Sequence, residues 1–273
     1  MNCPSCQRDN AAAAAFCSGC GQSLTDAHAP TVASAAADPL SYTPRHLAEK
    51  ILRDRGSLVG ERRTVTVLFS DVLGFTPLSE RIGEEEVYSL MQDCVARMME
   101  AVHRYEGTIT QFTGDGVMAL FGAPIAHEDS ARRAVAAALE MQKSLGEYAD
   151  EVHKEHSIEC SFRVGLNTGP VVVGSISDNL DMDYTALGDT VNLAARMESL
   201  AEPGTVYLTE ETYRVVKDYF ECASLGALAV KGKADPVTAY RATREKTAVR
   251  TRFQAATERG LTPSALRRQL AST

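Results

Sequence analysis

The chain has no run approaching about eighteen consecutive apolar residues, so no membrane-spanning helix is expected from it. Its start has no charged-then-apolar export pattern and opens instead on Cys3 and Cys6. A cytoplasmic protein is the expectation. Basic charge is scarce over most of the length: residues 65–240 carry 13 Lys and Arg against 28 Asp and Glu. Only the segment from Arg241 onward reverses the sign, with 8 against 2. Sequence-independent nucleic-acid binding rests on neutralising phosphates with Lys and Arg, so nucleic acid is excluded as a partner. The acidic segment suits a site that recruits divalent metal, and the basic end reads as a solvated tail. The rest of the composition, 44% hydrophobic and 23% charged, is ordinary for a soluble globular chain. Its 273 residues leave room for one sizeable domain plus accessories.

Two acidic segments carry most of the chemistry. In Leu68-Phe69-Ser70-Asp71-Val72-Leu73-Gly74-Phe75-Thr76, the run Thr64 to Phe69 predicts a buried strand with Asp71 just past its end. In Phe112-Thr113-Gly114-Asp115-Gly116, strands Thr108 to Phe112 and Val117 to Phe121 predict a hairpin around a Gly-Asp-Gly turn. If these strands are neighbours, two carboxylates converge at one end of a sheet. Mg²⁺ takes one or two carboxylates and leaves its other positions to water and phosphate, so the arrangement suits a metal-nucleotide site. The adjacent glycines let backbone amides approach a polyphosphate. A third segment, Met182 to Met197, predicts a short strand passing through Gly188 into a helix with Asn192 and Arg196 on one face. An amide beside a planar, permanently charged guanidinium suits a ribose and a phosphoryl group.

Taken in order, these motifs resemble the class III nucleotidyl cyclases, the adenylate and guanylate cyclase catalytic domain. Arg163-Val164-Gly165-Leu166-Asn167-Thr168-Gly169 and Val230-Lys231-Gly232-Lys233 belong to the same resemblance, which runs from about Arg62 to Arg241. It implies attack of a ribose 3′-oxygen on the α-phosphate of a nucleoside triphosphate, with loss of pyrophosphate. By that resemblance, two Mg²⁺ or Mn²⁺ ions would sit at Asp71, Val72 and Asp115, and the backbone through Gly74, Phe75 and Thr76 would cradle phosphates. Asn192 would orient the ribose, and Arg196 would neutralise charge gathering on the α-phosphoryl oxygens. Lys231 and Arg163 are candidates for the outer phosphates. In the family the metal aspartates and the Asn/Arg pair come from different subunits. One copy of each here implies a two-fold homodimer with sites at the interface.

At the two base-reading positions the chain departs from the family. Gln111 stands where adenylate cyclases usually carry Lys, and Thr185 where they carry Asp; guanine-selective members tend to have Glu and a small residue. Gln donates and accepts, so it meets either purine. ATP is favoured because the acidic residue expected for guanine is absent, with GTP as the alternative. A catalytically weak nucleotide sensor and a zinc-module adaptor that only dimerises are the non-enzymatic alternatives. A diguanylate-type cyclase is excluded, since no Gly-Gly-Asp/Glu-Glu-Phe segment exists.

Upstream, Cys3-Pro4-Ser5-Cys6 and Cys17-Ser18-Gly19-Cys20 form two C-x₂-C pairs, the spacing of one tetrahedral structural Zn²⁺ held by Cys3, Cys6, Cys17 and Cys20. So small a module needs the metal to fold, and with nothing basic nearby an unidentified protein is its expected partner. The domain expectation is a zinc ribbon at 1–24, a linker with a short amphipathic helix at 25–60, the cyclase domain at 61–243 and a basic tail at 244–273.

Within the cyclase segment, helices are expected from Glu84 to Tyr105, with core methionines, from Glu128 to Glu151 and from Glu210 to Asp218. Further strands are expected at Ile158–Leu166, Val171–Ile176, Val206–Leu208, Leu228–Val230 and Val237–Tyr240. His127 reads as a capping or surface residue, and Cys94, Cys160 and Cys222 as buried thiols. The β-α-β-β-α-β opening implies an α+β, ferredoxin-like fold: a largely antiparallel sheet with helices on one face.

Overall fold

The computed structural model describes residues 44, 49, 61–73, 82–175, 184–187, 189–231, 233 and 235–246. The four N-terminal cysteines, the linker helix apart from Pro44 and Glu49, and the tail beyond Lys246 lie outside them. The described residues all belong to the unit Pro39–Thr273. None of the described helices is long and apolar enough to cross a membrane.

The elements run β1 (Glu61–Leu73), α1 (Glu84–Arg104), β2 (Thr108–Phe112), β3 (Gly116–Phe121), α2 (Ser130–His156), β4 (Ser161–Ser175), β5 (Tyr184–Leu187), α3 (Asp189–Leu200), β6 (Thr205–Thr209), α4 (Glu210–Val216), β7 (Phe220–Leu228) and β8 (Val237–Glu245). One sheet joins the strands in the order β2-β3-β1-β4-β6-β8-β7, with β5 paired to β4 beside this path. All pairings are antiparallel except β4 with β6. The first six elements therefore form the expected β-α-β-β-α-β core, with β1 central.

Strand alternation decides which helix covers which face. Leu68 and Val72 of β1, with Phe162, Val164 and Leu166 of β4, pack against Cys94 and Met98 of α1 and Val135, Met141 and Leu145 of α2. Val65 and Val67 point the other way, into a smaller cluster with Val171 and Ala194 of α3. Helices thus lie on both faces, which corrects the expectation of one. The α3 stripe of Thr190, Leu193, Ala194 and Met197 is buried, and its sheet-facing side fits β4 only because residue 165 is glycine. A Cβ there would stand 1.9 Å from the Glu198 backbone nitrogen.

Four local expectations are corrected. The two strands expected around residues 158–176 are one, β4, because β1 pairs with it continuously from Glu61↔Val173 to Leu73↔Ser161. Pro170 is tolerated because the pairing with β6 has ended at Leu166 and that with β5 begins only at Val172, so β4 has a single neighbour there. A nine-residue strand, β7, occupies Phe220–Leu228 and ends where a short strand was expected to begin. Register shifts at Glu221/Cys222 and Ser224/Gly226 blur its alternation. His127 neither caps α2 nor faces solvent; its Nε2 lies 3.1 Å from Glu106 Oε2. Cys94 is buried, which pushes its thiol up to about 12, whereas Cys160 and Cys222 are only half-buried.

Candidate active site

Asp71 lies inside β1 rather than past its end, flanked on one side by Gly116 of β3 and on the other by Arg163 of β4. One residue earlier, Ser70 points to the opposite face and donates its hydroxyl to Met98 Sδ of α1 at 3.3 Å. That bond fixes the strand just before the carboxylate. Across the pairing, the β2–β3 turn closes through Thr113 N–H donating to Gly116 O at 2.9 Å. Gly114 takes φ +93, a conformation L side chains rarely adopt, and a Cβ on Gly116 would meet Ser70 O at 1.9 Å. Both glycines are therefore needed to bring the hairpin tip against β1.

The result is convergence. The carboxyls of Asp71 and Asp115 come close enough for Asp115 to act directly on Asp71. Arg163 Nη2 donates to Asp71 Oδ2 at 2.8 Å, while its Nε contacts Glu198 Oε1 on α3. Burial raises the Asp71 carboxyl above its ordinary 3.8, Asp115 pushes the same way, and Arg163 only partly offsets them. Glu198 is likewise raised by burial, against the pull of Arg163. Arg163 is thus engaged by two carboxylates of its own chain rather than extended towards a phosphate.

Val72 has its side chain buried in the main core, so only its backbone faces chemistry. Asn192 and Arg196 lie on the outer side of α3, exposed and half-exposed. Neither side chain hydrogen-bonds or ion-pairs with another described residue, Asp71 included. Gln111 is exposed on edge strand β2, and Thr185 lies on β5, with β3, β1 and β4 between those strands in the pairing order. Lys231 is exposed, while its neighbour Lys233 is held by Asp189 Oδ2 at 2.5 Å. Gly74, Phe75 and Thr76 lie outside the described residues, as do the four zinc-candidate cysteines.

Glu198 went unmarked in the sequence, although a signal existed. It follows Met197 on the buried side of α3, and a carboxylate within an apolar stripe marks an ion pair.

The sequence matches the adenylate and guanylate cyclase catalytic domain over residues 59–243. The chain belongs to this family. Among solved structures it is similar to the adenylyl cyclase CyaB from P. aeruginosa: 35% identity, 70% of this chain and 98% of that one, TM-score 0.65. It is also similar to the guanylate cyclase domain of RhGC from Catenaria anguillulae in complex with GTP, at 29% identity, 68% and 100% coverage and TM-score 0.61. Adenylate cyclase 1 of Rhizobium meliloti is 32% identical over 203 residues, which are 73% of this chain and 30% of that protein. The soluble guanylate cyclase subunit beta-2 of Rattus norvegicus is 32% identical over 198 residues, 72% and 28%. The chain thus spans less than a third of the length of these curated relatives. Cyclases of both substrate classes stand at similar distance, so relatedness alone does not choose the base.

The donors fit a hard divalent cation. Asp71 and Asp115 offer only oxygen and lie side by side, and no third His, Cys, Asp or Glu joins them among the described residues. That suits Mg²⁺ or Mn²⁺, which leave most positions to water and phosphate, better than a closed structural site.

Proposed function

We propose that this cyclase-family domain converts ATP to 3′,5′-cyclic AMP and pyrophosphate, at two sites formed between the subunits of a homodimer. The observation that carries the reading is the junction of Asp71 and Asp115 at adjoining ends of β1 and β3. With Val72 offering its backbone, these carboxylates would hold two Mg²⁺ or Mn²⁺ ions, which activate the 3′-hydroxyl and neutralise the leaving polyphosphate. Asp71 gives up its Arg163 partner for that role. Arg163 is then free to turn to the outer phosphates, with Lys231 and the backbone of Gly74, Phe75 and Thr76. From the second subunit, Asn192 orients the ribose and Arg196 meets charge developing on the α-phosphoryl group.

Gln111 and Thr185 read the base. Neither is charged, so discrimination rests on neutral hydrogen bonds worth about 1 kcal/mol each. Adenine is favoured because the acidic partner expected for guanine is missing; GTP is the second reading, supported by relatives of both classes. Cys3, Cys6, Cys17 and Cys20 are assigned to one structural Zn²⁺ in a module that docks a protein partner, and the protein to the cytoplasm.

The test is to incubate the full chain with ATP or GTP and Mn²⁺ and quantify products by mass spectrometry, with Asp71→Ala alongside. Cyclic AMP from the wild type and none from the variant is expected. Cyclic GMP instead would reverse the substrate assignment. Silence with both, in a verified dimer, would refute the enzymatic reading.

A further inference from the structure

Outside the site, the most developed polar feature is a group of buried hydroxyls and one amide that runs from α3 across β4 and β6: Thr66, Asn167, Thr190, Thr209 and Thr212. Asn167 sits four residues beyond Arg163 on β4, on the same sheet face. Thr209 of β6 donates its hydroxyl to Asn167 Oδ1 at 2.7 Å, so the amide oxygen points to β6. The other end, Nδ2, must then face α3, where it donates to the Thr190 carbonyl at 2.9 Å. Thr209 is itself held 3.3 Å from Thr212, which lies 3.0 Å from Thr168, and Thr168 lies 2.9 Å from Thr66 of β1. The amide therefore stands at the end of a hydroxyl chain that reaches the central strand.

The first turn of α3 is tied to β4 at two further points. Thr190 Oγ1 donates to Pro170 O at 2.8 Å, and Gly169 leaves the space: a Cβ there would stand 2.6 Å from that hydroxyl. The far end of the helix is held by Glu198 on Arg163. Asn192 lies two residues after Thr190, and Arg196 two before Glu198. The side chains proposed to meet ribose and phosphoryl are thus carried on a helix pinned at both ends, while themselves bonded to no described residue.

We infer that Asn167 is a positioning residue for the reaction: by holding the Thr190 carbonyl, it sets the placement of α3 and so where Asn192 and Arg196 meet the nucleotide. This rests on the cyclase reading above. A displacement of about 1 Å at a reacting group commonly costs about a hundredfold in rate, so removing the pin is felt even where the helix remains folded.

The informative variant is Asn167→Asp. It keeps the shape and the acceptor for Thr209 but turns the donor towards Thr190 into an oxygen facing an oxygen. The expected result is a fall of about tenfold or more in kcat with little change in KM, since the interaction it disturbs is one made in the transition state. A role confined to folding would lower the amount of active protein and act independently of Arg196. The full chain is therefore also assayed as Arg196→Ala and as the double variant. The expectation is non-additivity, with the double variant losing clearly less than the product of the two single losses, because only the misplacement of Asn192 remains to be felt once Arg196 is gone. Should Asn167→Asp not fold, Thr190→Val, which removes the bond to Pro170 but keeps the side-chain shape, is expected to show the same non-additivity with a smaller loss. Multiplicative losses, or an unchanged kcat in a folded variant, would overturn the inference while leaving the cyclase reading intact. If Arg196→Ala itself leaves kcat unchanged, the assignment of α3 fails and the inference falls with it.

Discussion

The carboxylate end of β1 and the outer face of α3 stand in opposite conditions. At the first, charge is answered within the chain: Asp71 by Arg163, and Arg163 again by Glu198. At the second, Asn192 and Arg196 carry the groups suited to a nucleotide and have no partner among the described residues. One region is paired within the chain, and the other leaves its polar side chains unengaged by any described residue. A site split between subunits would look like this from one half. On the proposed reading, the carboxylate side must stay folded before metal binds, and its own ion pairs serve that. On the same reading, the Asn/Arg side meets substrate held by another copy, and its side chains have no described partner to leave.

The sharpest way to break this comparison is complementation. Asp71→Ala and Arg196→Ala should each lose at least about a hundredfold in activity, about 3 kcal/mol of transition-state stabilisation. Mixed in equal amounts and allowed to exchange subunits, they should recover about a quarter of wild-type activity. Half of the dimers would then be mixed, each with one intact site of two. No recovery, in a mixture shown by native mass spectrometry to contain heterodimers, would place both groups in one protomer's site.

Next in size is the packing that joins the two regions. Gly165→Ala places a Cβ against the Glu198 backbone, which cannot move aside as a flexible side chain would. Overpacking of this kind commonly costs about 1–3 kcal/mol. Urea unfolding should show a lower midpoint at unchanged slope. A midpoint equal to wild type would mean that α3 does not seat on β4 as described.

Much of this architecture is legible in the sequence. The strand-glycine-aspartate pattern around Asp71 and Asp115 placed both carboxylates, because period-two alternation and a Gly-Asp-Gly turn are local properties. Likewise α1 and its buried Met98 follow from helical spacing alone. What was not legible depends on partners distant in sequence. Asn167-Thr168-Gly169-Pro170 reads locally as a turn, yet thirteen consecutive pairings with β1 hold it extended. β7 hid because its register shifts destroy the alternation that would have announced it. The engagement of Arg163 by Asp71 and Glu198 spans 92 residues on one side, a distance over which a single sequence carries no signal.

Arg163→Lys probes the self-neutralised region at smaller scale. An ammonium cannot reach two carboxylates with the fork that guanidinium offers, so one of Asp71 and Glu198 loses its partner. The side chains of both carboxylates are mostly buried, at 21% and 11% exposed, and the loss should be about 1–2 kcal/mol, below that of a fully buried pair. Thermal unfolding of the metal-free protein measures it. A Tm indistinguishable from wild type would show that the bridge adds nothing to the empty state.

The smallest effect carries the most direct statement about metal. Asp71 and Glu198 both bind protons more tightly when folded than at their ordinary values of 3.8 and 4.5. Between those values and the raised folded ones, the folded state holds more protons than the unfolded. Metal-free stability therefore falls as pH rises through that window. A divalent cation needs Asp71 deprotonated, so its stabilisation grows with pH across the same window. At ten times its Kd, Mn²⁺ should add about 1.4 kcal/mol at neutral pH, a rise of about 3–6 °C in Tm, and much less at acid pH. Asp71→Asn removes the titrating ligand and should abolish both the Mn²⁺ shift and its pH dependence. A shift that persists in that variant, or that is equal at acid and neutral pH, would move the metal away from the β1 carboxylate and undo the contrast between the two halves at its root.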